Sequence, residues 1–148
     1  MADLNEKINQ INNTPDTTAE FDPTDVQSNK AMGVLAYLSW LVLIPLFAAK
    51  GSKFARFHTN QGLVLAIAWS AWWIVEVILG IVIRAIFRTT RYVWGVPYTA
   101  VSPVGSILLT VLGLLNIAFA VLAILGIINA AQGKAKELPV IGKFRILK

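Results

Sequence analysis

The sequence predicts an all-α fold: an integral membrane bundle of about three transmembrane helices with interfacial amphipathic segments. Three observations predict it. Of 148 residues, 56% are hydrophobic and only 14% are charged, against about 45–50% and about 25% in soluble domains. The mean hydropathy is +0.64. The charges are segregated: of 21 charged residues, 8 lie in positions 1–30 and 6 in positions 132–148, leaving 7 for the 101 residues between. So short a chain cannot bury that much apolar surface in one water-facing core, so a lipid solvent is expected.

Residues 1–30 are polar, rich in Asn, Thr and Asp, and interrupted by Pro15 and Pro23. Such a segment buries too little to offset its ordering entropy and reads as a disordered acidic tail. Leu4, Ile8 and Ile11 have the spacing of a short transient helix. Residues 31–131 form the expected transmembrane domain, with spans at about 31–49, 62–83 and 104–131. The first span, Ala31–Ala49, would reach roughly 28 Å, close to a hydrocarbon thickness of about 30 Å. Pro45 offers no N–H to Leu41, so a kink or a re-entrant break is expected there. The N-terminus lacks the basic start of a cleavable signal peptide, so this run is expected to remain as an anchor.

Lys50–Gln61 is basic and holds no acid. Lys53, Arg56 and Asn60 share one helical face while Phe54 and Phe57 share another, as in a short helix lying among headgroups. In the second span, Gly62, Ala66 and Ser70 recur every four residues and would admit a close neighbour. Trp69, Trp72, Trp73 and Glu76 occupy a different face. Residues 84–103 combine Arg84, Arg88 and Arg91 with Tyr92, Trp94 and Tyr98, a headgroup-level composition. Gly95, Pro97 and Pro103 stop helices there. The third span has no charge over 28 residues. It contains a second small-residue pair, Gly126 and Ala130. Residues 132–148 interleave cations with Val140, Ile141, Phe144, Ile146 and Leu147, as expected of a basic interfacial tail.

Two stretches carry a resemblance. AAKGSKFARFHTNQG, ending at Gly62, and KELPVIG, residues 136–142, are similar to a family of small bacterial membrane proteins of unassigned function. That family is related to the twenty-kilodalton component of the chloroplast inner-envelope protein translocon. The resemblance covers about residues 30–148 and rests on Phe54, Arg56, Phe57, His58, Asn60 and Gln61. Thr59 stands where alanine is more usual. The zinc ribbon of many relatives is not expected, since the chain has no cysteine. The resemblance implies a non-enzymatic multi-pass protein that assists protein or solute translocation. Alternatives are a small channel or transporter subunit in its own right, or a regulatory or interaction subunit of a membrane complex.

The candidate sites follow from polar chemistry in apolar surroundings. Glu76 is the only acid between residues 31 and 131. An intramembrane acid costs about 2.5–3.5 kcal/mol on insertion scales and is by default a functional group. Arg84 lies two turns on, within reach of a snorkelling side chain, and Asn116 and Asn129 can bond a neighbouring helix. His58, the sole histidine, reads either as a titrating group or as a side chain that orders its loop. Lys50, Lys53, Arg56, Lys134, Lys136, Lys143 and Arg145 are expected to meet anionic lipid headgroups. No metal, cofactor or nucleic-acid site is expected, and no enzyme constellation is present. Small-residue faces offer a route to homo-oligomers or other membrane proteins. With three spans, the basic loop and the C-terminus share the more positive side, which places the C-terminus in the cytoplasm of a bacterial inner membrane.

Overall fold

The computed structural model describes residues 6, 7 and 10–147. In chain order it holds a 3₁₀ turn (Thr18–Glu20), α1 (Pro23–Leu35), a second 3₁₀ turn (Ser39–Val42) and α2 (Leu43–Ala48). These are followed by α3 (Lys53–Ile86), strands β1 (Arg88–Val93) and β2 (Val96–Val101), and α4 (Pro103–Ala131). The chain divides into two compact units. One, the motif unit, comprises residues 1–68 and 120–148 and holds both motif stretches; the other, the hairpin unit, is Trp69–Phe119 and holds the two strands.

The fold is mostly helical, as expected, but it departs from an all-α three-span bundle. Only α3, with 34 residues, and α4, with 29, are long and apolar enough to cross a bilayer among the described residues. The first expected span is divided three ways. α1 ends at Leu35, Ser39 takes a positive φ of 52°, and Pro45 sits in the first turn of the short α2. The first turn of a helix has no intrahelical use for its N–H groups, so Pro45 starts a helix there instead of kinking a long one.

The polar N-terminal segment is also ordered where it is described. Asp22 caps α1, accepting from the Thr24 N–H at 2.7 Å, and Pro23 occupies the first turn. Residues 15–17 pair with the C-terminal segment: Thr17 N–H donates to Ala135 at 3.0 Å and Glu137 N–H to Pro15 at 3.1 Å. The acidic composition hid this because the partner segment lies over 100 residues away in the sequence. Leu4 and Ile8 of the suggested transient helix lie outside the described residues.

Residues 50–61 are not a separate surface helix. Ser52 Oγ accepts from Ala55 N–H at 2.9 Å and starts α3, which runs unbroken into the apolar span. Asp25 of α1 reaches across and accepts from Phe54 N–H at 3.1 Å, so one helix caps another. α4 ends at Gly133, whose φ of +71° is the left-handed stop. There Lys134 N–H returns to Asn129 and Gly133 N–H to Ala130.

Both small-residue stripes are used within the motif unit. A Cβ on Gly62 would stand 1.8 Å from the Ala36 carbonyl oxygen, and one on Gly126 would stand 2.4 Å from the Tyr37 ring. A Cβ on Gly33 would meet that of Ala130 at 3.1 Å. The stripes thus receive residues 33–37 at backbone distance. In the hairpin unit, residues 88–101 form an antiparallel hairpin with Val93 paired to Val96. Trp94 and Gly95 both take positive φ, 53° and 80°, as a two-residue type I′ turn requires. The helix-stopping residues and the Thr, Tyr and Val content of this segment favour such a hairpin.

Candidate functional site

Residues 54–61, the first of the two stretches that carried the resemblance, build a buried polar cluster in the motif unit. Phe54, His58, Thr59 and Gln61 are almost fully buried and Asn60 is 7% exposed. α3 carries them on its inner faces, while Arg56 faces outward. His58 Nδ1 meets the Tyr37 hydroxyl at 2.9 Å. Three rings stand edge-on to the imidazole: Phe54 at 4.6 Å, Phe57 at 5.2 Å and Tyr37 at 5.6 Å. Nε2 is buried without a hydrogen-bond partner among the described residues. His58 precedes the outward-facing apolar run of α3. Burial holds it well below its ordinary pKa, with the Lys134 backbone opposing weakly. The imidazole is fully buried and packed between these rings and the Tyr37 hydroxyl.

Asn60 and Gln61 clamp the C-terminal segment. Gln61 Nε2 donates to the Lys136 carbonyl at 3.3 Å, and Leu138 N–H donates to Gln61 Oε1 at 2.5 Å. Asn60 Nδ2 donates to the Phe144 carbonyl at 2.8 Å, and its Oδ1 accepts from Ile146 at 2.6 Å and Leu147 at 2.9 Å. The two motif stretches are therefore joined: Gln61 of the first satisfies backbone groups of the second, and Asn60 satisfies those just beyond it. A buried amide pair, Asn12 with Asn129 at 2.7 Å, ties the N-terminal segment to α4.

Sequence reasoning missed Tyr37, Asp25 and Asn12. Asp25 does carry a local signal, as an acid in the first turn of a capped helix. Tyr37 and Asn12 carry none, because their partners are distant in sequence. Hydrogen bonds from the Ser52 hydroxyl, the Phe54 N–H, Asn29 and the Lys53 N–H hold the Asp25 carboxyl below its ordinary value, overcoming the opposing effect of partial burial.

The second polar cluster lies within the hairpin unit. Trp69 Nε1 donates to Asn116 Oδ1 at 2.9 Å, and Asn116 Nδ2 donates to Glu76 Oε2 at 2.8 Å. Trp69 stacks on Phe119 with centroids 5.8 Å apart and planes 9° apart. Glu76 is thus joined to Asn116, and no Glu76–Arg84 ion pair forms. Arg84 folds back one turn, and its Nη1 would lie 2.8 Å from a Cβ on Gly80.

The expected headgroup cations divide. Lys136 Nζ donates to the Asn12 carbonyl at 2.7 Å. Arg145, with a side chain 72% exposed, stands 3.7 Å from Glu137. Lys50 lies 5.6 Å over the Phe47 ring. Lys50, Arg56 and Leu46 line one depression of about 210 Å³. Lys53, Arg56 and Arg145 line a second of about 190 Å³. Lys134 and Lys143 are exposed and line neither.

The magnetosome magnetite crystal formation protein family model matches residues 28–145, spanning both motif stretches and both long helices. No curated protein and no solved structure matches the chain. The match supports a small bacterial membrane family. It does not extend to the chloroplast translocon relation that the motifs suggested.

Proposed function

Because the chain belongs to the magnetosome magnetite crystal formation protein family, we propose that it is a non-enzymatic, multi-pass membrane protein that takes part in magnetite crystal formation at a membrane surface. The observation that carries the membrane role is the inverted burial of residues 69–119. Only Gly80 and Gly105 are buried there, while Trp73, Ile78, Ile81, Ile107 and Leu114 face outward. That surface needs lipid around it. The family description supports the mineral role.

The non-enzymatic reading is supported by the commitments of the polar side chains. His58 is engaged by Tyr37, Asn60 and Gln61 by the C-terminal segment, and Glu76 by Asn116. The Trp69–Asn116–Glu76 bonds also favour anchoring over solute or protein passage, because these polar groups satisfy one another. Among the described residues, no group of three or more His, Cys, Asp or Glu is placed to hold a metal ion. The role assigned is therefore to organise the membrane surface at which crystals grow.

Two crossings return the chain to its starting side. Residues before the α3 span and after α4 then share a side carrying Lys30, Lys50, Lys53, Arg56, Lys134, Lys136, Lys143, Arg145 and Lys148. The opposite side carries Arg84, Arg88 and Arg91. The positive-inside rule assigns the first side to the cytoplasm of a bacterial inner membrane or a vesicle derived from it. The chain has no cysteine, so Glu20→Cys, Val93→Cys and Val140→Cys report sidedness directly. An impermeant maleimide should label positions 20 and 140 from one side and 93 from the other. Opposite labelling of 20 and 140 refutes two crossings. For the mineral role, magnetite is precipitated inside liposomes with and without the reconstituted chain. A changed crystal-size distribution is expected, and identical distributions refute that role.

A further inference from the structure

We infer that the groove between α2, the start of α3 and the C-terminal segment is a binding site for the phosphate of an anionic phospholipid. This rests on the membrane reading above and adds a specific site to it. The two depressions share Arg56 and Leu147, so they adjoin. Lys50, Lys53, Arg56 and Arg145 supply cations to them; no Asp or Glu lines either one, although Glu137, outside both linings, stands 3.7 Å from Arg145. Asn60 and Gln61 line the second depression with their amides already occupied: Asn60 holds the backbone of Phe144, Ile146 and Leu147 beside it, and Gln61 holds that of Lys136 and Leu138.

The helix dipole is not the source of the attraction. Ser52 and Asp25 already accept from the Ala55 and Phe54 N–H groups at the α3 start. The side-chain cations therefore carry the recognition, and a phosphate monoanion or diester suits them. The occupant is a lipid and not a free anion because the groove is half apolar. Leu46 and Leu147 line it, and in the same unit Trp40, Leu41, Ile44 and Phe47 are exposed on the segment leading into Lys50. A phosphodiester with acyl chains satisfies both surfaces, whereas inorganic phosphate satisfies one. This also separates the cations by role. Lys50, Lys53, Arg56 and Arg145 form the site, while Lys134 and Lys143 contribute only general charge.

The test uses the full chain in neutral maltoside micelles, following the melting temperature as dioctanoyl phosphatidylglycerol, dioctanoyl phosphatidylcholine or sodium phosphate is added. Phosphatidylglycerol should stabilise the chain saturably, with little effect from the other two at equal concentration. Lys50→Gln/Arg145→Gln should raise the half-saturating concentration about tenfold or more, as loss of two cations near an anionic group implies. Lys134→Gln/Lys143→Gln removes the same charge and should change it less than about twofold. Lys50→Arg should retain binding. Equal weakening by the two double variants overturns the site, and equal stabilisation by sodium phosphate or phosphatidylcholine overturns the occupant. Flotation of the wild-type chain and of each variant with phosphatidylglycerol vesicles is scored separately. Failure to float refutes the membrane reading, whereas flotation by all variants with no difference in half-saturation refutes only the site.

Discussion

The motif unit and the hairpin unit use polar side chains in opposite ways. In the motif unit Asn12, Ser52, His58, Thr59, Asn60, Gln61 and Asn129 are all buried. Asn60 and Gln61 replace water for the backbone of a sequence-distant segment, His58 meets the Tyr37 hydroxyl, Asn12 pairs with Asn129, and Ser52 and Thr59 bond the backbone of α3 itself. In the hairpin unit the apolar side chains face outward and the polar groups Trp69, Glu76 and Asn116 bond one another. The first unit is organised like a water-soluble core, where an unpaired buried polar group costs about 1–3 kcal/mol. The second is organised for a solvent that offers polar groups no partners, so they find each other. α3 and α4 each contribute residues to both units. Each helix thus changes the character of its surroundings along its length, and residues 54–61 lie on the polar-cored stretch of α3.

The sharpest way to break this contrast is at glycine. Gly62→Ala places a methyl 1.8 Å from the Ala36 carbonyl, a backbone atom that cannot swing away. A loss of about 3 kcal/mol or more is expected, seen as a large fall in melting temperature in micelles. Next comes the clamp. Gln61→Leu leaves the Lys136 carbonyl and the Leu138 N–H without their partner, at a cost of about 2–4 kcal/mol for the two groups. Trypsin should then cut at Lys136 and Lys143 at least about tenfold faster than in wild type, because segment opening is favoured by that energy.

A smaller effect is expected within the hairpin unit. Asn116→Leu removes the donor to Glu76 and the acceptor for Trp69, and interhelical bonds of this kind contribute about 0.6–2 kcal/mol in membranes. Trp69 fluorescence should shift while trypsin resistance of the C-terminal segment stays at the wild-type level. Asp25→Asn tests the cap between α1 and α3, with a loss of about 1 kcal/mol at neutral pH. Because the folded carboxyl titrates below its ordinary value of 3.8, its contribution is present above that value and fades as pH falls through the folded pKa. Wild type and variant should therefore converge in melting temperature as the pH is lowered below about 4. Gly113→Ala is the mildest change. No side chain or neighbouring backbone lies within 4 Å of the added methyl, so a shift of under about 1 kcal/mol, toward stability, is expected.

The sequence by itself determined the apolar character of the middle of the chain, both long helices, the α3 boundary at Ile86 within a few residues, and the two stretches that the clamp joins. These are legible because apolar length, charge segregation and helix-stopping residues act locally. Composition also marked Glu76 and Asn116 as polar groups in apolar runs, but could not pair them, because their contact joins different helices 40 positions apart. Tertiary structure decided the rest. It broke the first expected span at Ser39 and Pro45 and ordered the acidic segment against Ala135 and Glu137. It turned the small-residue stripes inward to meet Ala36 and Tyr37. It also made the surface-helix expectation for Lys50–Gln61 into a buried clamp. Apart from the break at Ser39 and Pro45, each of these joins groups far apart in the chain, by backbone pairing, close packing or a side-chain amide. Local pattern says which polar atoms need a partner, and only the folded chain says which partner each one has.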